Sequence, residues 1–295
     1  MNLEGLHHVT AITGDAPRNV DFYSRVLGLR MVKKTVNFDA PDVYHLYFGD
    51  HIGTPGSILT FFEFPGATRG RAGDGMIHTV QWRVNDDAAL DFWAQRVPGA
   101  VREEGLVRFD DPEGLTHELM AADVPDAPLV ASHPDIPDEH ALRGFHGVRA
   151  YASDPARSAR LLETLGFEGQ GAEWRAAGAQ RRGLLTYDAP PAAAGIPSAG
   201  TVHHVAWSAA DDAELEEFRV LAAQGGARPT PIIDRQYFHS VYFREPSGVL
   251  FELASRDIGF DVDEPRETLG EALKLPPQHE HLRAQLEQTL TPLGV

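Results

Sequence analysis

Four short runs with apolar residues near every second position recur along the chain, and each is followed by an apolar stripe at helical spacing. The runs are GLHHVTAIT from residue 5, GMIHTVQWRV from 75, GFHGVRAYAS from 144 and GTVHHVAWSA from 200. Alternation of this kind predicts half-buried strands. After the first run, Asp15 is placed to cap a helix with Pro17 in its first turn; Val20, Tyr23, Val26 and Leu27 form the stripe, and Gly28 ends it. The third copy repeats this with Asp154, Pro155, Leu161, Leu162, Leu165 and Gly166. The second uses Asp86 or Asp87, then Leu90, Trp93 and Val97; the fourth uses Asp211 or Asp212, then Leu215, Phe218, Leu221 and Ala222, with Gly225 as the stop. A β-rich stretch broken by turn residues closes every copy, long enough for about three strands. In the fourth copy that stretch holds a hairpin around Glu245-Pro246-Ser247-Gly248.

One strand, one helix and three strands make a βαβββ unit. Two such units close into a cupped sheet, so four predict an α+β protein of two cupped mixed sheets. Modules one and two are expected over residues 1–122, and modules three and four over 144–260. Between them, residues 123–143 are rich in Pro, Asp and Ala and read as a linker. Residues 261–295 form an acidic, proline-spotted tail that turns helical around HEHLRAQLEQTL and is expected to pack over a cup.

Composition narrows the function. The chain has 295 residues and a formal net charge of −17, which argues against binding nucleic acid or anionic lipid, both of which need clustered Lys and Arg. No apolar run approaches the roughly 18 residues of a membrane span, and the start lacks a secretion signal, so a cytoplasmic address is expected. There is no cysteine, which leaves His and carboxylates as metal ligands. A homo-oligomer is compatible with these numbers.

Aligning the opening strands on their valine or threonine brings His8, His78, Gly147 and His204 to equivalent positions. Counting four residues from Gly56, Gly114, Gly183 and Gly248 in the closing strands aligns Thr60, Glu118, Tyr187 and Glu252. A cup of modules one and four would then hold His8, His204 and Glu252. The other cup would hold only His78 and Glu118, expected to be hydrogen-bonded or packed. Two imidazoles and one carboxylate suit Fe(II) with open positions, and Mn(II), Zn(II) or Ni(II) could use the same set. The neighbouring His7 and His203 should face away from the metal by strand alternation unless a bulge turns them.

The motifs LHHVTAITGDA, YHLYFGDHIGTPGSILTFF, VHHVAW and DRQYFHSVYFREPSGVLFELAS, together with the tail, resemble the vicinal oxygen chelate superfamily over essentially the whole chain. More narrowly, they are similar to its hydroquinone-cleaving ring dioxygenases. The resemblance implies an Fe(II) site at His8, His204 and Glu252, with Arg235 and Tyr242 upstream of the carboxylate and Thr10 near the substrate.

The expected reaction is oxygen-dependent cleavage of a dihydroxylated ring, so the partners are a small aromatic and dioxygen. Tyr242 is the candidate for hydrogen bonding or proton transfer, and His203 for acid–base work. Arg235 could bind a distal hydroxyl or a developing anion, with an ion pair to Asp234 or Glu245 as its structural alternative; His7 and Phe238 are candidate pocket contacts. If Tyr242 shares a face with Glu252, an odd number of residues, 245–249, must form the hairpin turn. Two rivals remain: a glyoxalase-type isomerase or lyase, disfavoured by Thr60 in place of a second carboxylate, and a resistance protein that binds an aromatic without turnover.

Overall fold

The computed structural model describes residues 2–293, so Met1 and residues 294–295, at the outer ends of the first module and the tail, lie outside the described residues. Each of the four sequence copies supplies four strands. Module one gives β1 (Leu6–Thr13), β2 (Arg30–Asn37), β3 (Ala40–Gly49) and β4 (Ile58–Glu63); module two gives β5 (Ile77–Val84), β6 (Val101–Glu103), β7 (Leu106–Asp110) and β8 (Thr116–Ala121). Module three gives β9 (Phe145–Tyr151), β10 (Glu168–Gln170), β11 (Glu173–Ala177) and β12 (Arg182–Asp188); module four gives β13 (Val202–Ala209), β14 (Ile233–Asp234), β15 (His239–Arg244) and β16 (Leu250–Ser255).

They assemble into two eight-stranded mixed sheets, an α+β architecture as expected. One runs β14-β15-β16-β13-β1-β4-β3-β2 and joins modules one and four; the other runs β10-β11-β12-β9-β5-β8-β7-β6 and joins modules two and three. The seams are the antiparallel pairs β1–β13 and β5–β9. The first and last quarters of the chain therefore share a sheet.

The helices follow the capping signals with two local departures. Asp86 and Asp211 cap α2 (Asp87–Arg96) and α4 (Asp212–Gln224), each accepting from first-turn amides as an N-cap carboxylate does. Asp15 caps α1 (Ala16–Val20), which widens into a π-helical turn over Asp21–Val26. That turn buries Phe22 and Tyr23 side by side and leaves Val26 only partly covered. Asp154 makes no side-chain cap, and a 3-10 turn at Pro155–Ser158 precedes α3 (Ala159–Thr164).

The helices cover one face of each sheet, and the core between is dominated by large residues: Trp82, Trp93, Trp174 and Trp207 are all fully buried. A polar thread crosses it. Trp82 Nε1 donates to His117 Nδ1 (3.1 Å), which fixes the proton on Nε2; Nε2 then donates to Tyr23 Oη (3.0 Å), and the Tyr23 hydroxyl donates to Asp111 Oδ2 (2.9 Å). Burial holds the His117 pKa down at about 3 and pushes that of Tyr23 well up, so the thread is neutral up to Asp111. It ties the first helix to module two.

Residues 123–143 cross the surface without a named strand and are pinned at several points. The His140 carbonyl accepts from Trp93 Nε1 (2.7 Å), and Ile136 fits over Gly28, whose φ of 71° and lack of Cβ the contact requires. The tail clasps the rim of the first sheet. Fully buried Lys33 on β2 bonds Asp263 and Glu264 at 2.6 Å each, while Tyr237 and Gln236 of module four also donate to Asp263. A short helix, α5 (Arg283–Thr289), buries Leu286. Among the described residues no helix is long and apolar enough to cross a membrane.

Candidate active site

Strand alternation turns His8 and Thr10 of β1, His204 of β13, Glu252 of β16, Thr60 of β4 and Tyr242 of β15 toward one concave face. The cross-strand pairs His8–Ala206, Thr10–His204, Ala206–Glu252 and Tyr242–Glu252 fix this register. Arg244 pairs with Leu250, so the hairpin turn holds the five residues 245–249 that a Tyr242–Glu252 pairing demands.

His8, His204 and Glu252 converge, all three buried. His8 Nε2 lies 3.2 Å from His204 Nε2 and 3.2 Å from Glu252 Oε2, and His204 Nε2 lies 2.9 Å from the same oxygen. For a cation at the usual metal–ligand length of about 2.1 Å, ligands at right angles sit about 3 Å apart. The donor triangle has that edge length. Although both imidazoles are close, Glu252 Oε2 receives no aligned hydrogen bond, while Ser240 Oγ donates to Oε1. Burial would raise the Glu252 pKa, but the adjacent His8 and His204 outweigh it and hold the carboxyl well below its ordinary range.

The neighbouring histidines explain which nitrogens face inward. In the seam, β1 carries an extra residue at His7 and β13 at His203, so both sit on bulges. The Ser255 carbonyl can only accept, so His7 Nε2 (3.0 Å) carries the proton and Nδ1 is a lone pair; burial keeps this imidazole neutral, with its pKa down at about 3. His8 Nδ1 must then donate to His7 Nδ1 (3.0 Å), leaving His8 Nε2 bare toward the triangle. His203 Nδ1 stands 2.7 Å from His204 Nδ1 in the matching position on the other strand.

The triad forms the floor of a cavity of about 540 Å³. Its walls are largely apolar, with Phe38, Phe62, Phe238 and Ile233 among them, and its polar points include His45, Tyr47, Tyr242, Arg235 and His203. Arg235 Nε donates to Tyr242 Oη (3.2 Å), and its Nη1 pairs with Asp39 (3.0 Å) rather than with Asp234 or Glu245. Burial, then the nearby Glu252, raises the Tyr242 pKa. Phe238 packs its ring 5.0 Å from His8 and 5.1 Å from His7. Two expected pocket contacts lie behind the wall instead: His7 because its bulge ties it to Ser255, and Thr10 because it bonds Thr60 (2.9 Å).

The other cup corrects two positions of the sequence alignment. Thr79 pairs with Arg149 as His8 pairs with Ala206, so Thr79 is the equivalent of His8 and His78 occupies the bulge. Likewise Thr186 pairs with Arg149 as Glu252 pairs with Ala206, so Thr186, not Tyr187, is the fourth equivalent. Each slip is one residue: Val80, not Thr79, is the equivalent of Val9, and Gly183 lies inside β12 without the left-handed φ of the turn glycines Gly56, Gly114 and Gly248. His78 bonds Asp188 (2.9 Å) and stacks on Tyr151, while Glu118 pairs with Arg108 (2.8 Å).

His45 is a residue that the sequence reading passed over. It stands two places before Tyr47 in YHLYFG, on the same face of β3, a period-two signal that was available in the motif. Its Nε2 is 2.8 Å from Thr60 Oγ1 and its Nδ1 2.9 Å from Tyr47 Oη; burial pushes its pKa well down, so it is a neutral imidazole.

Comparison with known proteins bears on the family and the fold. The model of the Glyoxalase/Bleomycin resistance protein/Dioxygenase superfamily matches residues 5–119 and 103–253. A Bacillus subtilis (strain 168) protein named provisionally as a ring-cleaving dioxygenase, MhqO, is 42% identical over 305 residues, covering 99% of this chain and 97% of its own. The chlorohydroquinone/hydroquinone 1,2-dioxygenase of Sphingobium indicum (strain UT26S) is 34% identical, covering 98% and 96%. Among solved structures, a Bacillus subtilis subsp. subtilis str. 168 protein titled provisionally as a dioxygenase superposes with a TM-score of 0.90 at 40% identity over 100% of this chain and 98% of that one. Glyoxalase I from Zea mays shares the fold at 16% identity, with a TM-score of 0.58 over 85% of this chain and 92% of its own. A paired-module cup closed by the two ends of the chain, matched by family and relatives over nearly its full length, places this chain in the glyoxalase/bleomycin resistance/dioxygenase superfamily.

Proposed function

We propose that the protein is a ring-cleaving dioxygenase that opens a hydroquinone- or catechol-type ring at a single divalent metal held by His8, His204 and Glu252. The observation that carries this reading is the donor triangle with edges of 2.9 to 3.2 Å, whose carboxylate oxygen lacks any aligned hydrogen bond. The names of the relatives support the substrate class. Iron(II) is the metal this donor set suits best; Mn(II), Zn(II) and Ni(II) fit the same residues. When bound, the metal supplies Lewis acidity toward a ring hydroxyl and the means to activate dioxygen.

The chain supplies the rest. Phe38, Phe62 and Phe238 hold the ring flat against apolar walls and exclude water. Because Arg235 Nε–H can only donate, the Tyr242 oxygen accepts it and the Tyr242 proton is free to reach an oxygen of the substrate. Arg235 thereby keeps a positive charge beside the atom that becomes negative. His203, lining the cavity next to His204, is the proposed acid–base group. His7 and Thr10 act through the residues in front of them, His7 by setting the His8 tautomer and Thr10 by bonding Thr60. Thr60, in the place that mirrors Glu252, offers no second carboxylate, which weighs against glyoxalase-type isomerisation.

The test is oxygen consumption by the iron-loaded protein, with the label followed from ¹⁸O₂. Both labelled atoms should appear in an opened product of hydroquinone or catechol. Absence of uptake, with turnover of a thiol adduct, would make the protein an isomerase. If Glu252→Ala bound aromatics as well as the wild type, a non-catalytic binder would be the better description.

A further inference from the structure

The cavity has a pseudo-twofold relation between modules one and four, and it pairs Tyr242 with Tyr47. Tyr242 stands opposite Glu252 in the β15–β16 ladder, and Tyr47 stands opposite Thr60 in the β3–β4 ladder. Ser240, which donates to Glu252, is matched by His45, which reaches Thr60. The two tyrosines line one cavity, each held by a different side chain: Tyr242 by Arg235 and Tyr47 by His45.

Hydrogen-bond direction decides what each hydroxyl offers the cavity. Tyr242 accepts from the Arg235 guanidinium, so it offers a proton to the cavity. Tyr47 has one side-chain partner among the described residues, Nδ1 of His45. We take the tautomer in which Nδ1 accepts from Tyr47, a phenol being a stronger donor than a neutral imidazole N–H; the imidazole proton is then on Nε2, from which it reaches Thr60 and, through the Thr60 hydroxyl, Thr10. Every proton in the row Tyr47, His45, Thr60 is then used. The oxygen of Tyr47 is left facing the cavity as an acceptor.

We propose that Tyr47, oriented by His45, is a specificity-determining acceptor that selects ligands bearing a free ring hydroxyl opposite the oxygen held at the metal. Resting on the ring-cleaving reading for its class of ligand, this adds a reason for selectivity within the class. A hydroquinone can give one oxygen to the floor and donate from the other to Tyr47. Its mono-ether and the oxidised quinone have no proton there, so Tyr47 would have to break its bond to His45 or face a second lone pair. The cavity thus favours the reduced, unalkylated diol.

The experiment is anaerobic titration calorimetry of the metal-loaded protein with hydroquinone and with 4-methoxyphenol. The wild type should bind hydroquinone about tenfold more tightly, the value of one well-made hydrogen bond. Tyr47→Phe should bring the two affinities within about twofold by weakening hydroquinone alone. His45→Leu, which frees the Tyr47 proton for donation to an ether oxygen, should close the same gap by strengthening 4-methoxyphenol. His45→Gln should restore the preference, because its amide can accept from Tyr47 and donate to Thr60. A preserved ratio in both Tyr47→Phe and His45→Leu, an equal loss of both ligands, or no preference in the wild type would overturn the proposal. If Tyr47→Phe does not give a cooperative melt, the two His45 variants decide it. Selective binding without oxygen uptake would defeat the ring-cleaving reading and leave this one standing; uptake without selectivity would do the reverse.

Discussion

Glu252 meets the two histidines through a single oxygen, and what surrounds that oxygen shows how little slack the site has. Its partner oxygen takes a bond from Ser240, and Tyr242 sits directly opposite across the ladder. A Tyr242→Phe variant keeps the ring and removes the one hydroxyl that Arg235 leaves free to donate. It should lose about a hundredfold in kcat, the lower range of a positioned proton donor, while its metal content stays at the wild-type level. Steady-state oxygen uptake together with metal analysis separates these two effects; a parallel loss of metal would mean that Tyr242 acts by supporting Glu252. The residue scale was only partly legible in the sequence. The triad stood out because its members recur at matching positions. His45 did not, because its importance depends on which hydroxyls it touches across the sheet.

At the scale of elements, the thread from Trp82 through His117 and Tyr23 to Asp111 joins the first helix to module two. Tyr23→Phe leaves the His117 Nε2–H and the Asp111 Oδ2 oxygen without their buried partner, while Oδ1 keeps its backbone donors, and should lower unfolding free energy by about 1–3 kcal/mol in denaturant melts. The same thread sets a pH dependence. Burial holds the His117 pKa at about 3 in the folded chain against an ordinary histidine value of 6.5. Above pH 6.5 the imidazole is neutral in both states and no stability is at stake. As pH falls from 6.5 toward 3, the unfolded chain takes up a proton that the folded one refuses, so stability drops by about 1.4 kcal/mol per pH unit from this group. His117→Gln should flatten the stability–pH curve by that slope between pH 6 and 4; an unchanged slope would show that His117 is protonated in the fold. Strands, helices and caps were largely legible because period and capping chemistry are local. The bulges at His7, His203, His78 and His146 were not, since an extra residue in a ladder is defined by its partner strand. The positions of Thr79 and Thr186 were hidden for a different reason: Thr79 precedes the true equivalent of Val9, and Gly183 is a strand residue rather than a turn glycine.

The whole molecule is closed by contacts between parts distant in sequence. β1 lies beside β13, and the tail returns to β2, where buried Lys33 meets Asp263 and Glu264. The repeat pattern announced four units, yet the tail's clasp was out of reach of pattern alone, because Lys33 reads as an ordinary strand lysine until its acidic partners fold back. Lys33→Ala strands the Glu264 carboxylate in the interior and should cost about 3–5 kcal/mol. Removing both charges in Lys33→Met with Glu264→Gln should cost less. Thermal melts of the two variants check the order; equal losses would mean that the clasp works by packing alone.

The most direct test of the proposed metal site is metal analysis of single variants after loading with iron(II) and desalting without oxygen. One equivalent should remain per wild-type chain, and also in His78→Ala and Glu118→Gln, whose side chains are spoken for by Asp188 and Arg108 in the other cup. His8→Ala, His204→Ala and Glu252→Gln should each retain almost none. Iron that persists in all three, or that leaves with His78 or Glu118, would contradict a site built from the two ends of the chain.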